Sequence, residues 1–109
     1  MKILTFIAVL LVSVNLINAQ TTNLSGRVFD ETGAVVLGSK IHIKSFKERK
    51  TFVKTPDDEG VYSVSLKPGF YSIQVQTAGF KKFEIKKYRI VSSDKMCLDI
   101  VLEIESMYQ

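Results

Sequence analysis

Apolar and polar residues alternate with a period of two from Asn23 almost to the end of the chain. Turn-forming residues interrupt this alternation about every eight to twelve residues, which is typical of short strands in a sandwich or barrel. The pattern predicts no helix of useful length. It predicts seven strands, over residues 24–29, 39–46, 51–55, 62–66, 71–75, 83–90 and 96–105. We therefore expect an all-β fold, a seven-stranded antiparallel β-sandwich.

The alternation also predicts which side chains face the core. The inward positions share an apolar character and one parity within each strand: Leu24, Gly26, Val28, Ile41, Ile43, Tyr62, Val64, Leu66, Tyr71, Ile73, Val75, Met96, Leu98, Ile100, Leu102 and Ile104. The sixth strand breaks the rule, because Phe83 and Ile85 have one parity and Tyr88 and Ile90 have the other. One extra residue at Lys86-Lys87, a β-bulge, would return all four to the core.

The first residues have the pattern of a secretory signal peptide. Lys2 supplies a positive charge, residues 3–14 are almost entirely apolar, and Ala19 is a small residue at a suitable cleavage position. We expect cleavage after Ala19, a signal peptide over 1–19 and one domain over 20–109. The alternative is an uncleaved N-terminal anchor. Cleavage predicts a chain with no stable membrane span, in the periplasm, at the cell surface or outside the cell.

The composition further restricts the classes of protein to which the chain can belong. The 109 residues suffice for one domain, and 46% hydrophobic with 24% charged residues can form a core. The net charge of +4 is a mild basic excess, and together with export it argues against a nucleic-acid partner. The single cysteine, Cys97, excludes a disulfide framework within the chain. It is expected to be a partly buried apolar residue, with an intermolecular disulfide as the alternative.

Four turn motifs resemble the carboxypeptidase regulatory-like domain, also called the carboxypeptidase D regulatory family. The matching stretches are 24–33 with its Asp-x-x-Gly turn, 38–41, 57–62 with a second Asp-x-x-Gly, and 66–71, which reads Leu-x-Pro-Gly-x-Tyr. Gly79-Phe80 ends the resemblance. It implies a transthyretin-like (prealbumin-like) sandwich and an accessory module of the kind attached to peptidases and surface proteins.

Residues for catalysis are scarce. The only histidine, His42, cannot supply a zinc-peptidase ligand set, and we predict no catalytic residue, metal or cofactor. Asp57-Asp58-Glu59 could bind Ca²⁺ through carboxylate oxygens, but three adjacent acids lack the alternate spacing of known loops. A solvated turn is the interpretation we adopt, and a small hydrolase is the remote alternative.

One pair of aromatic residues could contact a ligand. If Ile41, Ile43, Thr51 and Val53 face inward, the rings of Phe46 and Phe52 face outward beside Lys44 and Lys54. Such rings can anchor a protein or stack on a sugar. The alternative is that one or both rings are partly buried.

The partner expected is an unidentified protein, with the chain acting in protein binding or envelope assembly. The alternative is a polysaccharide, bound by exposed aromatics. A further possibility is that the final strand, residues 96–105, completes a partner's sheet.

Overall fold

The computed structural model describes residues 20–105, so the predicted signal peptide and its cleavage site lie outside the described residues. The described residues form strands and connecting loops and contain no helix. The strands are β1 (Thr22–Asp30), β2 (Ile41–Ser45), β3 (Thr51–Lys54), β4 (Val61–Leu66), β5 (Gly69–Val75), β6 (Phe83–Ile90), β7 (Lys95–Cys97) and β8 (Ile100–Leu102). The prediction of an all-β fold is confirmed.

Two sheets pack face to face. The first has the order β4-β1-β7, with β8 also paired to β1, and the second has the order β3-β2-β5-β6. The described residues therefore hold eight strands rather than the seven predicted. The prediction of a wholly antiparallel sandwich also needs correction, because β7 and β8 both run parallel to β1.

The core lies between the sheets and follows the predicted parity. The buried apolar side chains are Leu24, Val28, Val36, Ile41, Ile43, Tyr62, Val64, Leu66, Tyr71, Ile73, Val75, Ile90, Ile100 and Leu102. Met96 and Leu98 pack against this core while partly exposed. The alternation predicts an inward Ile104, but this residue is 49% exposed because β8 ends two residues before it.

The predicted bulge in β6 is confirmed. Tyr71 lies opposite Tyr88 and Ile73 lies opposite Ile85, so β6 uses three steps where β5 uses two. The extra residue falls at Lys86-Lys87, which are both exposed. Phe83, Ile85 and Tyr88 consequently pack against the core, and Ile90 is buried within it.

The last strand is interrupted where it passes Gly26. The register is the same on both sides of the gap, since Ser25 lies opposite Cys97 and Val28 opposite Ile100. Between these pairs the Leu98 carbonyl oxygen leaves the ladder and accepts a hydrogen bond of 2.5 Å from the Tyr62 hydroxyl. The Arg27 backbone N–H bonds instead to Asp99 Oδ1 at 3.0 Å.

Gly26 makes this exchange possible. Tyr62 lies opposite Gly26 on β4, so its hydroxyl reaches Leu98 across the glycine. A Cβ at position 26 would lie 1.9 Å from the Leu98 carbonyl oxygen, far inside van der Waals contact. Burial raises the pKa of Tyr62 well above its usual value, so the hydroxyl remains a donor.

The two Asp-x-x-Gly motifs form the same turn. Asp30 Oδ1 accepts from the N–H groups of Thr32 (2.8 Å) and Ala34 (3.1 Å), and Asp57 Oδ1 accepts from those of Glu59 (2.9 Å) and Val61 (2.9 Å). Each turn ends on a glycine with positive φ, 88° at residue 33 and 81° at residue 60. A backbone of this kind favours glycine, which explains the motif's last residue.

Gly26→Ala is expected to destabilise the domain by about 2–3 kcal/mol, since the Cβ would displace the Leu98 carbonyl from Tyr62. Ser25→Ala, one residue away on the outer face, is the matched control and should change stability by less than about 0.5 kcal/mol. Urea denaturation of both variants measures the difference. Equal stability of the two would contradict the packing at position 26.

Asp30 is expected to make stability depend on acidity. The hydrogen bond from the Thr32 hydroxyl, with those from backbone N–H groups, lowers the pKa of Asp30 below its ordinary 3.8. A lowered pKa stabilises the folded chain above about pH 4, and the contribution is lost as pH falls through the folded value. Asp30→Asn should therefore be less stable than wild type near neutral pH, with the gap closing in more acidic solution. Asp58→Asn is the control, and a constant gap for Asp30→Asn would contradict the prediction.

Candidate functional site: the aromatic and basic end of the second sheet

The outer face of the second sheet carries two exposed aromatic rings side by side. Phe70 alternates with the buried Tyr71 on β5, so its ring points away from the core and is 42% exposed. Phe46 follows β2 directly and is 54% exposed. The Phe46 N–H donates to the Phe70 carbonyl oxygen at 3.1 Å, which places the two residues on neighbouring segments of the sheet.

Four cationic side chains surround these rings. Lys87 Nζ lies 4.4 Å from the centre of the Phe70 ring, within the range of a cation–π contact. Arg89 lies opposite Phe70 in the β5–β6 register. Lys44 and Arg49 line a surface depression together with Ser45 and Phe46.

These cations are not neutralised by neighbouring acids. The ion pairs among residues 20–105 join Lys67 to Glu48, Lys81 to Glu103 and Lys82 to Glu84, and none of them includes a cation of this group. We use the name Phe46–Phe70 patch for the group formed by Lys44, Phe46, Arg49, Phe70, Lys87 and Arg89. An apolar pair within a positive field is suited to a ligand that carries both apolar surface and negative charge.

The loop between β2 and β3 holds one side of the patch in place. The Ser45 N–H donates to the Lys50 carbonyl at 2.9 Å, and the Ser45 hydroxyl accepts from the Glu48 N–H at 3.1 Å. Arg49 has φ of 52°, the only positive φ outside glycine among the described residues. Such a conformation costs a non-glycine residue about 1 kcal/mol or more. The loop thus maintains a mildly strained arginine beside Phe46.

The structure brings together only two of the four residues predicted to contact a ligand. Lys44 and Phe46 lie in the patch, whereas Lys54 lies at the far end of β3, opposite Ile41. For Phe52 the structure shows the alternative, a partly buried ring, because Phe52 lies opposite the buried Ile43 and packs partly against the core. Val53, predicted to face inward, is 50% exposed. Ligand contact by these four residues stays a prediction.

The sequence reasoning does not identify Phe70 or Arg49 as candidates, and it does not place Lys87 and Arg89, which belong to the basic stretch 81–89, beside these rings. Phe70 has a usable signal, since the predicted inward parity of Tyr71 already places its neighbour outside. The predicted bulge places Lys87 and Arg89 on the outer face, but their position beside Phe70 becomes apparent only when the pairing of β6 with β5 is known. Pairing between strands is not contained in the parity of either one, and Arg49 carries no sequence signal at all.

The other residues considered for chemistry have structural roles or lie alone on the surface. Asp57 is occupied as the acceptor of its own turn. No group of three or more metal-ligating side chains is found in the described part of the chain. Cys97 is exposed on the outer face of the first sheet and not partly buried as predicted, because its neighbours Met96 and Leu98 take the inward positions. Within residues 20–105 no helix is long and apolar enough to cross a membrane.

Comparison with known families agrees with the turn motifs. The family model of the carboxypeptidase regulatory-like domain matches residues 23–103. The chain belongs to this family. The resemblance drawn from the motifs is thereby confirmed, and the matched range covers every strand from β1 to β8 except the first residue of β1. No curated protein matches the chain significantly.

Solved structures share the fold of this carboxypeptidase regulatory-like domain at low sequence identity. Chlorocatechol 1,2-dioxygenase from Pseudomonas putida aligns with a TM-score of 0.62 and 13% identity, over 77% of this chain and 60% of the enzyme. The Bacillus anthracis TIE protein aligns at 0.63 and 20%, over 78% of this chain and 17% of its own length. A candidate carbohydrate-binding protein from Bacteroides uniformis aligns at 0.61 and 19%, over 74% of this chain and 40% of its own. At these identities the likeness concerns the fold.

Alanine substitutions should separate three phenylalanines of this domain by stability. Phe52→Ala is expected to cost about 1–2 kcal/mol, because part of its ring packs against the core. Phe46→Ala and Phe70→Ala should each cost less, about 0.5 kcal/mol. Thermal or urea unfolding measures all three. A Phe52→Ala variant as stable as Phe46→Ala would return Phe52 to the outer face.

Proposed function

We propose that this carboxypeptidase regulatory-like domain is an exported, non-catalytic module that binds an acidic protein surface, in the periplasm or outside the cell, during envelope assembly. Its contact surface is the Phe46–Phe70 patch. The observation that carries the proposal is the pair of exposed rings enclosed by Lys44, Lys87 and Arg89, none of them in an ion pair with a described carboxylate.

The chemistry of the patch favours a protein ligand. Aromatic and arginine side chains contribute most of the binding energy at protein interfaces, where they are desolvated together. Surrounding lysines steer an acidic partner toward the rings and exclude basic ones. Lys87 lies over one face of the Phe70 ring. A carboxylate of the partner can pair with this ammonium while an apolar group of the partner packs against the edge of the ring.

Export is a separate part of the proposal and rests on the first twenty residues. Lys2, the apolar run over 3–14 and Ala19 support a leader that is removed. N-terminal sequencing of the protein recovered outside the cytoplasm tests it, with Gln20 as the expected first residue. Recovery of the intact N-terminus would favour the anchored alternative.

A polysaccharide is the second candidate ligand. It is favoured by the paired rings, which can stack on sugar faces, and by the fold shared with the Bacteroides uniformis candidate carbohydrate-binding protein. The cations would then select acidic sugars. Lys87 argues against stacking on Phe70, because the sugar would have to displace the ammonium from the ring.

Capture from envelope extract tests the proposal. The purified chain is expected to retain one stoichiometric protein, and Phe46→Ala with Phe70→Ala should weaken retention at least about tenfold. Val53→Ala is the matched control, since Val53 is similarly exposed on the same sheet but lies toward the far end of β3. Retention should also fall as salt is raised, because part of the attraction is between charges.

The outcomes separate the two candidates. Protein retention that depends on both rings supports the assembly module. Retention of an acidic glycan without any protein would support the carbohydrate-binding alternative. Retention that is unchanged in the double variant contradicts the Phe46–Phe70 patch as the contact surface.

A further inference from the structure

The edge strands of the sandwich are unequally protected against pairing with another chain. Natural edges are guarded by charge, bulges, proline or short length. β6 has the bulge at Lys86-Lys87 and a third cation at Arg89, β3 has only four residues, and the β7–β8 edge is broken at Leu98. β4, with the sequence VYSVSL, has none of these features over six residues in regular register.

The unpaired groups of β4 can be identified from the ladder. Val28 N–H donates to the Gly60 carbonyl oxygen at 2.8 Å, so residues 60, 62, 64 and 66 are those that bond to β1. The alternate residues Val61, Ser63 and Ser65 direct their backbone groups away from β1. Val61 is already satisfied by Asp57, which it contacts through both its N–H (2.9 Å) and its carbonyl (3.0 Å). Ser63 and Ser65 have no backbone partner among the described residues.

We infer that a second copy of this chain pairs with β4, antiparallel, about a two-fold axis at Val64. In this register Ser63 of one copy lies opposite Ser65 of the other, and the free backbone N–H and carbonyl groups of both serines are all used. An axis at Ser63 would instead bring Ser65 opposite Val61, whose backbone groups are occupied by Asp57. An axis at Ser65 would bring Ser63 opposite Lys67, which lies beyond the end of β4.

Side chains on this edge allow the approach. On the outer face the residues nearest the axis are Ser63 and Ser65, so no bulky or charged side chain opposes the contact there, and Val64 meets its own equivalent on the inner face. The Ser63 hydroxyl donates to Asn23 Oδ1 at 2.7 Å, which holds it against its own sheet. The backbone of the edge is therefore accessible to a second copy.

Charge at the two ends of β4 favours this same arrangement. The antiparallel register brings position 67 of one copy beside position 61 of the other, next to the turn that contains Asp58 and Glu59. Lys67 is 63% exposed and makes only a long contact of 3.4 Å with Glu48. A parallel copy in register would place Lys67 beside its own equivalent. In the antiparallel dimer opposite charges meet twice, once on each side of the axis.

Sedimentation equilibrium of the purified chain tests this inference. A reversible monomer–dimer equilibrium is expected, of modest affinity because the contact is a single strand pair. In the dimer, Ser63→Lys with Ser65→Lys places like charges opposite each other, and the dissociation constant should rise at least about tenfold.

Ser63→Glu with Ser65→Lys is the matched control. It adds the same number of charges and loses the same bond to Asn23, but the acidic substitution at position 63 of one copy would lie opposite the basic substitution at position 65 of the other. Dimerisation should therefore be kept or strengthened. Urea denaturation checks that both variants fold, since both positions are exposed. Amide hydrogen exchange at Ser63 and Ser65 in the wild-type chain should slow as protein concentration rises.

Three results would overturn the inference: a monomer at every concentration, a dimer unaffected by the two lysines, or equal weakening in both double variants. The dimer edge lies on the opposite sheet from the Phe46–Phe70 patch. Phe46→Ala with Phe70→Ala should therefore dimerise as wild type, so the failure of one proposal is distinguishable from the failure of the other.

Discussion

The sandwich depends on a row of three residues, Tyr62, Gly26 and Leu98, which crosses the first sheet. The missing side chain of Gly26 leaves a gap through which the Tyr62 hydroxyl reaches the Leu98 carbonyl. This bond takes the carbonyl out of the ladder, and Asp99 supplies the acceptor that the Arg27 N–H would otherwise lack. A buried C=O without a partner would cost about 1–3 kcal/mol, so the part-buried Leu98 carbonyl can leave the ladder only because the Tyr62 hydroxyl satisfies it. Side-chain bonds thereby join β4 and β1 to the segment between β7 and β8, in addition to the ladder.

The same row determines how the edges of the sandwich behave. By interrupting the last strand, it removes a long, continuous edge that would otherwise offer its backbone to another chain. Residues 96–105, predicted as one strand that completes a partner's sheet, are therefore divided into two segments of three residues, β7 and β8, which offer a partner no long continuous edge. The bulge in β6 has a similar effect on the second sheet. The edge that remains is β4. The backbone groups of Tyr62, Val64 and Leu66 bond to β1, whereas those of Ser63 and Ser65 point away from it and have no partner among the described residues.

Most of the fold can be predicted from the sequence because alternation reports burial directly wherever one face of a strand is apolar. This is why the inward positions of β1, β2, β4 and β5 and the bulge of β6 agree with the structure. Alternation fails across a hairpin loop, where register is determined by the turn geometry and not by the flanking residues. Lys44 lies opposite Thr51, so Phe52 falls on the inner face of the sheet. The loop reaches this register through a left-handed conformation at Arg49, a position where the sequence has no glycine to indicate it. The interruption at Leu98 is equally hidden, since it depends on Gly26, a residue far away in the chain.

The family motifs and the candidate site use different positions of the same segments, which explains why the family identifies the fold without naming a ligand. In Leu-x-Pro-Gly-x-Tyr, Gly69 turns the chain and the Tyr71 hydroxyl bonds to the Lys67 carbonyl at 2.7 Å. Phe70 occupies the position that the motif leaves open, and strand alternation directs that position outward. A fold of this kind can therefore keep its turns and its core while the residue between Gly69 and Tyr71 changes with the partner. On the binding role proposed above, specificity lies at Phe70 and its neighbours, where the folding requirements place no demand on the side chain.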